Sequence, residues 1–195
     1  MLSAKLGHFL DKPLAPLAKR ISLSPNSLSI IGFLITTVAA VTIPFSIRTG
    51  GLLILLGGFF DMLDGIVART NGKNTLFGAF LDSTLDRYSD AFIFLAVAWS
   101  FFEQGALSAM LLTLGSLIGA LLVSYVRARA EGIGIECHLG LMERPERVVL
   151  LATGCIITGW LPSIMVLLFI FSHLTVLQRI VHVNKTIKYS SAKHK

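Results

Sequence analysis

Four aspartates interrupt strongly apolar sequence at spacings that place them on helix faces. Asp61 and Asp64 are three residues apart, and Asp82 and Asp86 are four apart, so each pair shares one face of a helix. An unpaired carboxylate in hydrocarbon is very costly, so such acids require a cation, water or both. The four side chains are therefore the first candidates for a functional site.

The donor chemistry of these acids indicates a metal centre. Oxygen ligands without a nearby Cys or His are typical of hard divalent ions such as Mg²⁺ or Mn²⁺ rather than Zn²⁺. Four carboxylates can hold two such ions, and paired ions usually serve phosphoryl transfer, because they neutralise phosphate oxygens and ease deprotonation of an attacking hydroxyl. We predict a two-ion site formed by Asp61, Asp64, Asp82 and Asp86.

The elements that must position these acids are membrane helices. Of the 195 residues, 54% are hydrophobic, and apolar runs recur along the whole chain. A helix needs about 20 residues to cross about 30 Å of hydrocarbon. We therefore predict an all-α polytopic membrane protein, a six-transmembrane-helix bundle. The expected spans are residues 26–47, 51–69, 76–102, 106–126, 146–161 and 163–183.

Positive charge lies mainly on one side of this predicted bundle. If both termini are cytoplasmic, the inner side carries nearly all Lys and Arg residues between and beyond the spans, whereas the outer side has Arg48. The net charge of +6 favours anionic lipid or phosphorylated substrates as partners, and no nucleic-acid-binding module is recognisable. We expect a multi-pass protein of the cell membrane, with both termini and the active site on the cytoplasmic side.

The two ends of the chain differ from the apolar middle. Residues 1–22 mix leucines with cations and two prolines, which favours an interfacial amphipathic segment on the inner membrane surface over a signal peptide. A disordered basic leader is the alternative. We predict this segment, a six-helix domain over residues 23–184 and a basic tail over 185–195.

The two acidic helices should form a hairpin that gathers the carboxylates. A short polar loop at residues 70–75 joins them. At ~1.5 Å per residue, the four acids lie roughly 10 to 20 Å from that loop and can converge in the inner half of the membrane. The small residues Gly65, Ala68 and Gly78 would let the helix backbones approach each other and a nucleotide closely.

The pattern around these acids resembles the complete signature of the CDP-alcohol phosphotransferase family. Its fixed positions are Asp61, Asp64, Gly65, Ala68, Arg69, Gly78, Asp82 and Asp86. The resemblance implies a six-helix membrane enzyme, commonly a homodimer, that uses divalent metal and displaces CMP from a CDP-linked lipid with an alcohol.

The resemblance also implies roles for individual residues. Asp61, Asp64 and Asp82 would be metal ligands, while Asp86 would contribute to the second metal and act as the catalytic base. The residues implied in binding the CDP-lipid are Pro25, Asn26, Gly65, Ala68, Arg69, Thr75 and Gly78.

A second similarity covers residues 124–131, 140–147 and 178–179. It is to the phosphatidylinositol-phosphate synthase branch of the family, which joins CDP-diacylglycerol to inositol 1-phosphate. Arginine forks bind phosphate oxygens at two points, so a phosphorylated polyol suits such residues. The candidates for the acceptor phosphate are Arg127, Arg144, Arg147 and Arg179.

Several alternatives stay open from the residues. Glycerol 3-phosphate could replace inositol 1-phosphate as acceptor, and a divalent-cation transporter could also use intramembrane aspartates. Inner-loop arginines can serve membrane topology alone, and Glu131 and Glu143 could form helix-face ion pairs with Arg127 and Arg147. We also expect Arg87 to neutralise Asp90.

Overall fold

The computed structural model describes residues 13–193, so residues 1–12 of the predicted interfacial segment and the last two residues of the predicted tail lie outside it. Over the described range every element of regular secondary structure is a helix, which confirms the all-α prediction. The first helix, α1, includes residues 13–20. The others are α2 (Pro25–Thr42), α3 (Ile47–Thr70), α4 (Leu76–Glu103), α5 (Leu107–Glu131), α6 (Arg144–Ile156) and α7 (Leu161–Lys193).

Four of the described helices, namely α2, α3, α5 and α7, are long and apolar enough to cross a membrane. The chain is therefore a multi-pass membrane protein. The other two predicted spans differ from these four for separate reasons. Helix α4 has 28 residues but carries charged side chains along much of its length, and α6 has 13 residues, fewer than the ~20 that a full crossing needs. The count of six spans stays a prediction.

The hairpin between α3 and α4 has a defined turn at each helix end. The backbone N–H of Lys73 donates to the carbonyl of Ala68 at 2.9 Å, and Gly72 adopts a φ of 63°, a left-handed conformation that suits glycine. Helix α4 then begins with Thr75 as its cap, because Thr75 Oγ1 accepts from the Gly78 N–H at 3.0 Å. The chain reverses within a few residues, and α3 and α4 then face each other through their acidic side chains while α2 packs against both helices.

Helices α2 and α3 approach closely where small residues face each other. A Cβ atom on Gly32 would lie 3.1 Å from the carbonyl oxygen of Gly57, and one on Gly57 would collide with the hydroxyl of Thr36. Both side chains must therefore be absent for the two backbones to meet. This contact brings the N-terminal half of α2 against the acidic half of α3.

The remaining helices complete one bundle. Helix α2 also packs on α4, α5 packs between α4 and α7, and α6 packs on α3 and α7. They share a core of buried apolar side chains, which includes Ile43, Ile54, Phe94, Val97, Ala120, Leu151, Met165 and Leu168. A smaller buried cluster beneath α1 contains Ala18, Leu28, Leu63, Ile66 and Val67.

Candidate active site

Three of the four predicted metal ligands meet between α3 and α4. Asp61, Asp64 and Asp82 each offer a carboxylate oxygen, and these oxygens all lie within 4.8 Å of one another. We call this group the carboxylate cluster. Three hard oxygen donors at this separation fit a divalent cation such as Mg²⁺ or Mn²⁺.

One member of the carboxylate cluster is held by a residue of α2. The buried hydroxyl of Ser29 donates to Asp64 Oδ2 at 2.5 Å. Because this bond occupies one side of the carboxylate, it fixes the direction in which the other oxygen points. The close approach of α2 to α3 makes this contact possible.

Asp86 lies one turn further along α4, at the edge of the carboxylate cluster. Its Oδ1 is 2.8 Å from Nη1 of Arg144, and the same nitrogen donates to Asp61 Oδ2. Arg144 is the first residue of α6, so one guanidinium links the acidic faces of α3 and α4. Asp86 Oδ2 lies 3.5 Å from Nη1 of Arg87.

The residues predicted to hold a nucleotide gather where α2 and α4 begin. A Cβ on Gly78 would lie 2.8 Å from Asn26 Oδ1 and 2.9 Å from Thr75 Oγ1, so these three residues are immediate neighbours. Pro25 is the first residue of α2. The two helix N-termini therefore lie side by side, and each presents backbone N–H groups and the positive end of a helix dipole.

The other residues predicted to bind the CDP-lipid lie on the last turns of α3. A Cβ on Gly65 would be 3.0 Å from Nη1 of Arg69, so the guanidinium passes over the glycine. Ala68 lies between them in the sequence and is half-buried. A small residue at position 65 leaves room for this arginine beside the carboxylate cluster.

A cavity of about 760 Å³ opens beside Asp86. Its walls come from α4, α5, α6 and α7, and the four predicted acceptor arginines all line it together with Arg87. We call it the arginine-lined cavity. Its lining includes Phe80, Asp86, Arg87, Tyr88, Leu121, Tyr125, Arg127, Glu131, Glu143, Arg144, Arg147 and Arg179.

The most buried ion pair next to the arginine-lined cavity joins α4 to α6. Arg147 Nη2 lies 2.7 Å from Asp90 Oδ2, and the two side chains are 2% and 8% exposed. The expectation that Arg87 neutralises Asp90 was therefore wrong. Arg87 instead extends along its own helix, where Nη1 donates to the Ser83 carbonyl at 2.6 Å.

Arg179 fastens α7 to α5 and to the segment between α5 and α6. Its Nε donates to the Leu139 carbonyl at 2.8 Å, Nη1 donates to the Val123 carbonyl at 2.5 Å, and Nη2 lies 3.3 Å from Glu143 Oε1. Glu143 therefore contacts Arg179, and not Arg147, the partner that its spacing in the sequence allowed.

Thr175 fastens the same segment one turn earlier on α7. Its Oγ1 accepts from the backbone N–H groups of Leu141 and Met142, at 3.2 and 3.1 Å. Because Arg144 comes two residues after Met142, this hydroxyl helps to set where α6 begins and where its arginines point.

Arg127 lines the arginine-lined cavity from near the end of α5. Its Nε donates to Glu131 Oε1 at 2.9 Å, which is the helix-face ion pair that the spacing allowed, and Nη2 lies 3.1 Å from His138 Nδ1. The side chain is 41% exposed. Among the predicted acceptor arginines it is the one most open to the cavity.

Comparison with known proteins identifies the family. A family model described as CDP-alcohol phosphatidyltransferase matches residues 22–187. The chain belongs to the CDP-alcohol phosphatidyltransferase family. The resemblance found in the sequence is thereby confirmed.

Relatives of this phosphatidyltransferase cover most of its length. It is 38% identical over 187 residues to an archaetidylinositol phosphate synthase of Methanothermobacter thermautotrophicus, which covers 93% of this chain and 91% of the relative. It is 37% identical over 188 residues to a phosphatidylinositol phosphate synthase of Mycobacteroides abscessus, with 92% and 86% covered.

Solved structures of a related enzyme have the same fold. A crystal structure of Mycobacterium tuberculosis phosphatidylinositol phosphate synthase with CDP-DAG bound superposes with a TM-score of 0.79, at 33% identity, covering 89% of this chain and 92% of that one. A second, in complex with manganese and citrate, gives a TM-score of 0.77 at 32% identity, with 89% and 88% covered.

The structure of the phosphatidyltransferase adds residues that the sequence pattern did not single out. Ser29 and Thr175 are ordinary hydroxyl residues in apolar helices, and their partners lie 35 and about 34 positions away in the chain. The one signal for Ser29 was its place a turn after the predicted pair Pro25 and Asn26. Asp90 was assigned a partner on its own helix because no sequence spacing points to α6.

Proposed function

We propose that this enzyme transfers the phosphatidyl group of a CDP-linked lipid, CDP-diacylglycerol or its archaeal equivalent, to inositol 1-phosphate and releases CMP. The observation that carries this proposal is the arginine-lined cavity, which opens directly beside Asp86 and the carboxylate cluster. A phosphorylated polyol needs permanent cations next to the base that activates its hydroxyl. The names of the archaetidylinositol phosphate synthase and the phosphatidylinositol phosphate synthase described above support the same acceptor.

Divalent metal at the carboxylate cluster belongs to this proposal. We infer that the four aspartates hold two ions, Mg²⁺ or Mn²⁺, with Asp86 a ligand of the second. The oxygen-only donor set of Asp61, Asp64 and Asp82 supports hard cations, as does the manganese in the crystal structure of the related synthase. When bound, such ions would neutralise the diphosphate oxygens of the lipid substrate.

The CDP-lipid would bind where α2, α3 and α4 meet. The side-by-side N-termini of α2 and α4 favour a diphosphate, because their N–H groups and dipoles attract negative charge. The proposed binding set is Pro25, Asn26, Gly65, Ala68, Arg69, Thr75 and Gly78. The lipid tails would stay in the inner leaflet, so that substrate enters sideways from the membrane.

The chemical step then needs one base and one attacking hydroxyl. Asp86 accepts the proton of the acceptor hydroxyl, whose oxygen forms a bond to the lipid-linked phosphorus. The bond between that phosphorus and the bridging oxygen breaks, and CMP leaves with the oxygen and its electron pair. Arg144, at 2.8 Å from Asp86 Oδ1, holds the base in place, and positioning supplies much of the acceleration.

The acceptor's phosphate would bind the cationic wall formed by Arg127, Arg144, Arg147 and Arg179. All four line the arginine-lined cavity. An anion in that cavity lies close enough to Asp86 for the hydroxyl of the same molecule to reach the base.

We further propose the topology and assembly in which this site works. Residues 1–22 lie on the inner membrane surface, residues 23–184 form the six-helix domain, and residues 185–195 form a basic tail. Both termini and the active site face the cytoplasm at the cell membrane, and the enzyme is a homodimer. Protease accessibility of tags at the two termini in sealed vesicles tests the orientation, and cross-linking in detergent tests the dimer.

The decisive experiment compares two acceptors. Purified enzyme is incubated with CDP-diacylglycerol and either inositol 1-phosphate or glycerol 3-phosphate, and CMP release is measured. We expect CMP with inositol 1-phosphate, loss of activity on chelation and recovery on adding Mg²⁺ or Mn²⁺. CMP release that requires glycerol 3-phosphate would reject the proposed acceptor, and activity unaffected by chelation would reject the metal.

A further inference from the structure

A second groove lies along α7, apart from the active site. It has a volume of about 650 Å³ and runs between one face of α7 and residues 139–141 of the segment that joins α5 to α6. We call it the α7 groove. Its lining shares no residue with that of the arginine-lined cavity.

The walls of the α7 groove are held together by the protein itself. Thr175 and Arg179 bond to the backbone of the segment before α6, as described above. Further along α7, His182 Nε2 donates to the Glu136 carbonyl at 3.1 Å. Gly140 lies directly against α7, since a Cβ there would be 2.6 Å from Thr175 Cγ2. Because these contacts are spread over two turns of α7, the groove has its shape before anything binds in it.

The lining of the α7 groove changes from apolar to polar along the helix. The apolar part consists of exposed side chains, namely Leu141, Leu174, Leu177 and Val181. The polar end contains His182 and Lys185. The lining residues of α7 recur every three or four positions and so share one face. The 11 residues from Leu174 to Lys185 span roughly 16 Å along the helix axis.

The polar end of the α7 groove lies where a membrane surface is expected. The last predicted span ends at residue 183, so Leu174 and Val181 lie within it and Lys185 lies just beyond it. Apolar side chains exposed at the depth of the span meet lipid chains, whereas a lysine just outside it meets headgroup phosphates.

Two polar side chains of the α7 groove have no protein partner among residues 13–193. Lys185 is exposed and forms no ion pair there, and the side-chain amide of Gln178 forms no hydrogen bond. A polar group on a surface that otherwise faces lipid is costly without a partner. A phospholipid supplies both partners, because its phosphate suits the cation and its ester oxygens suit the amide.

We propose that the α7 groove binds one anionic phospholipid of the surrounding membrane, with its phosphate at Lys185 and an acyl chain along Leu174 and Leu177. The order of apolar and cationic groups in the groove matches the order of chain and phosphate in such a lipid. A bound lipid would also contact Gly140 and Leu141 and so would brace the segment that leads into α6. This site goes beyond the proposed reaction, and it takes from it only the orientation that places Lys185 at the inner leaflet.

Quenching of tryptophan fluorescence by brominated lipid tests this site directly. L177W places a reporter in the α7 groove. I180W is the matched control, because Ile180 is exposed at a similar depth on α7 and does not line the groove. Each variant is reconstituted in phosphatidylcholine bilayers that contain an equal fraction of brominated phosphatidylglycerol or brominated phosphatidylcholine, and the wild-type signal of Trp99 and Trp160 is subtracted. We expect brominated phosphatidylglycerol to quench L177W more strongly, and both lipids to quench I180W equally.

A charge substitution then tests the contact with the phosphate. Adding K185Q to L177W should lower the preference for phosphatidylglycerol over phosphatidylcholine about 5-fold, which is the attraction that one lysine contributes at an anionic membrane surface. Adding R129Q instead should keep the preference, because Arg129 is an exposed cation at the end of α5 and does not line the groove.

Three results would overturn the proposal. Equal quenching of L177W by the two lipids would show that the groove does not select an anionic lipid, and a preference unchanged by K185Q would show that Lys185 does not bind the phosphate. Quenching of I180W without quenching of L177W would show that protein, such as a second copy of the chain, covers the groove. If thermal unfolding shows that L177W is not folded, V181W takes its place as the reporter with the same expected results.

Discussion

The carboxylate cluster and the arginine-lined cavity meet at Asp86, yet the fold brings the side chains of each region together in a different way. The cluster comes from one hairpin, α3 and α4, whose helices are joined by a few residues. The cavity takes its arginines from α4, α5, α6 and α7. The acids therefore come from two consecutive helices that both pack on α2, whereas the arginines require the whole bundle to be packed.

The difference extends to how each region is held. In the carboxylate cluster, the hydroxyl of Ser29 and the guanidinium of Arg144 reach in from outside the hairpin. In the cavity, Arg179 and Thr175 fasten the segment before α6 to α7, and the Asp90–Arg147 pair fastens α6 to α4. A substitution in the cluster should thus change chemistry locally, while one in the cavity wall should also change stability.

The largest expected effect is at the residue that both regions share. D86N keeps the size of the side chain but removes the proposed base, so kcat should fall about 10²- to 10⁴-fold. Thermal protection by CMP should persist, because the nucleotide pocket is intact. If D86N has activity close to that of the wild type, Asp86 is not the base, and only the other three aspartates can take part in the reaction.

Breaking the buried pair of the cavity wall should reduce stability. D90N leaves Arg147 buried without a counter-charge, which typically costs about 3–5 kcal/mol of unfolding free energy. Thermal unfolding in detergent measures the loss. E103Q, on the same helix but exposed, should have almost no effect. Equal stability of D90N and E103Q would show that this wall does not depend on the pair.

A change beneath the carboxylate cluster should weaken metal binding without unfolding the protein. S29A removes the hydrogen bond to Asp64, and loss of such a supporting contact typically lowers metal affinity about 10- to 100-fold. The dependence of activity on Mg²⁺ concentration measures this. T37V is the control, because Thr37 lies on the same helix and bonds only to its own turn. Identical Mg²⁺ curves for the two variants would contradict the role of Ser29.

The smallest expected effect concerns the anchor of the cavity segment. T175V removes an acceptor shared by two backbone N–H groups, worth about 0.5–1.5 kcal/mol each, so the KM for the phosphorylated acceptor should rise a few-fold. T175S keeps the hydroxyl, so its KM for the phosphorylated acceptor should equal that of the wild type. T186V, which loses a bond within α7 alone, is the control. If T175V leaves the KM for the phosphorylated acceptor unchanged, or raises the KM for the CDP-lipid equally, Thr175 does not position the acceptor site.

The metal-binding aspartates and the family could be predicted from the sequence because both depend on residues that are close together in the chain. Asp61, Asp64 and Asp82 converge as their spacing predicts, and Thr75 begins α4 at the end of the predicted loop. The same reasoning assigned the wrong partner to Asp90, because residues three apart on a helix are neighbours but a residue on another helix can be nearer.

By itself the sequence determined the apolar helices, the hairpin of acids and the family signature, since each depends on residue type and on the 3.6-residue period of a helix. Only the tertiary structure decided which arginines are buried in contacts with the protein and which, like Arg87 and Arg127, are partly exposed at the arginine-lined cavity. The physical reason is that a guanidinium spans several ångströms and can meet partners from any packed helix, so its role depends on the arrangement of the bundle.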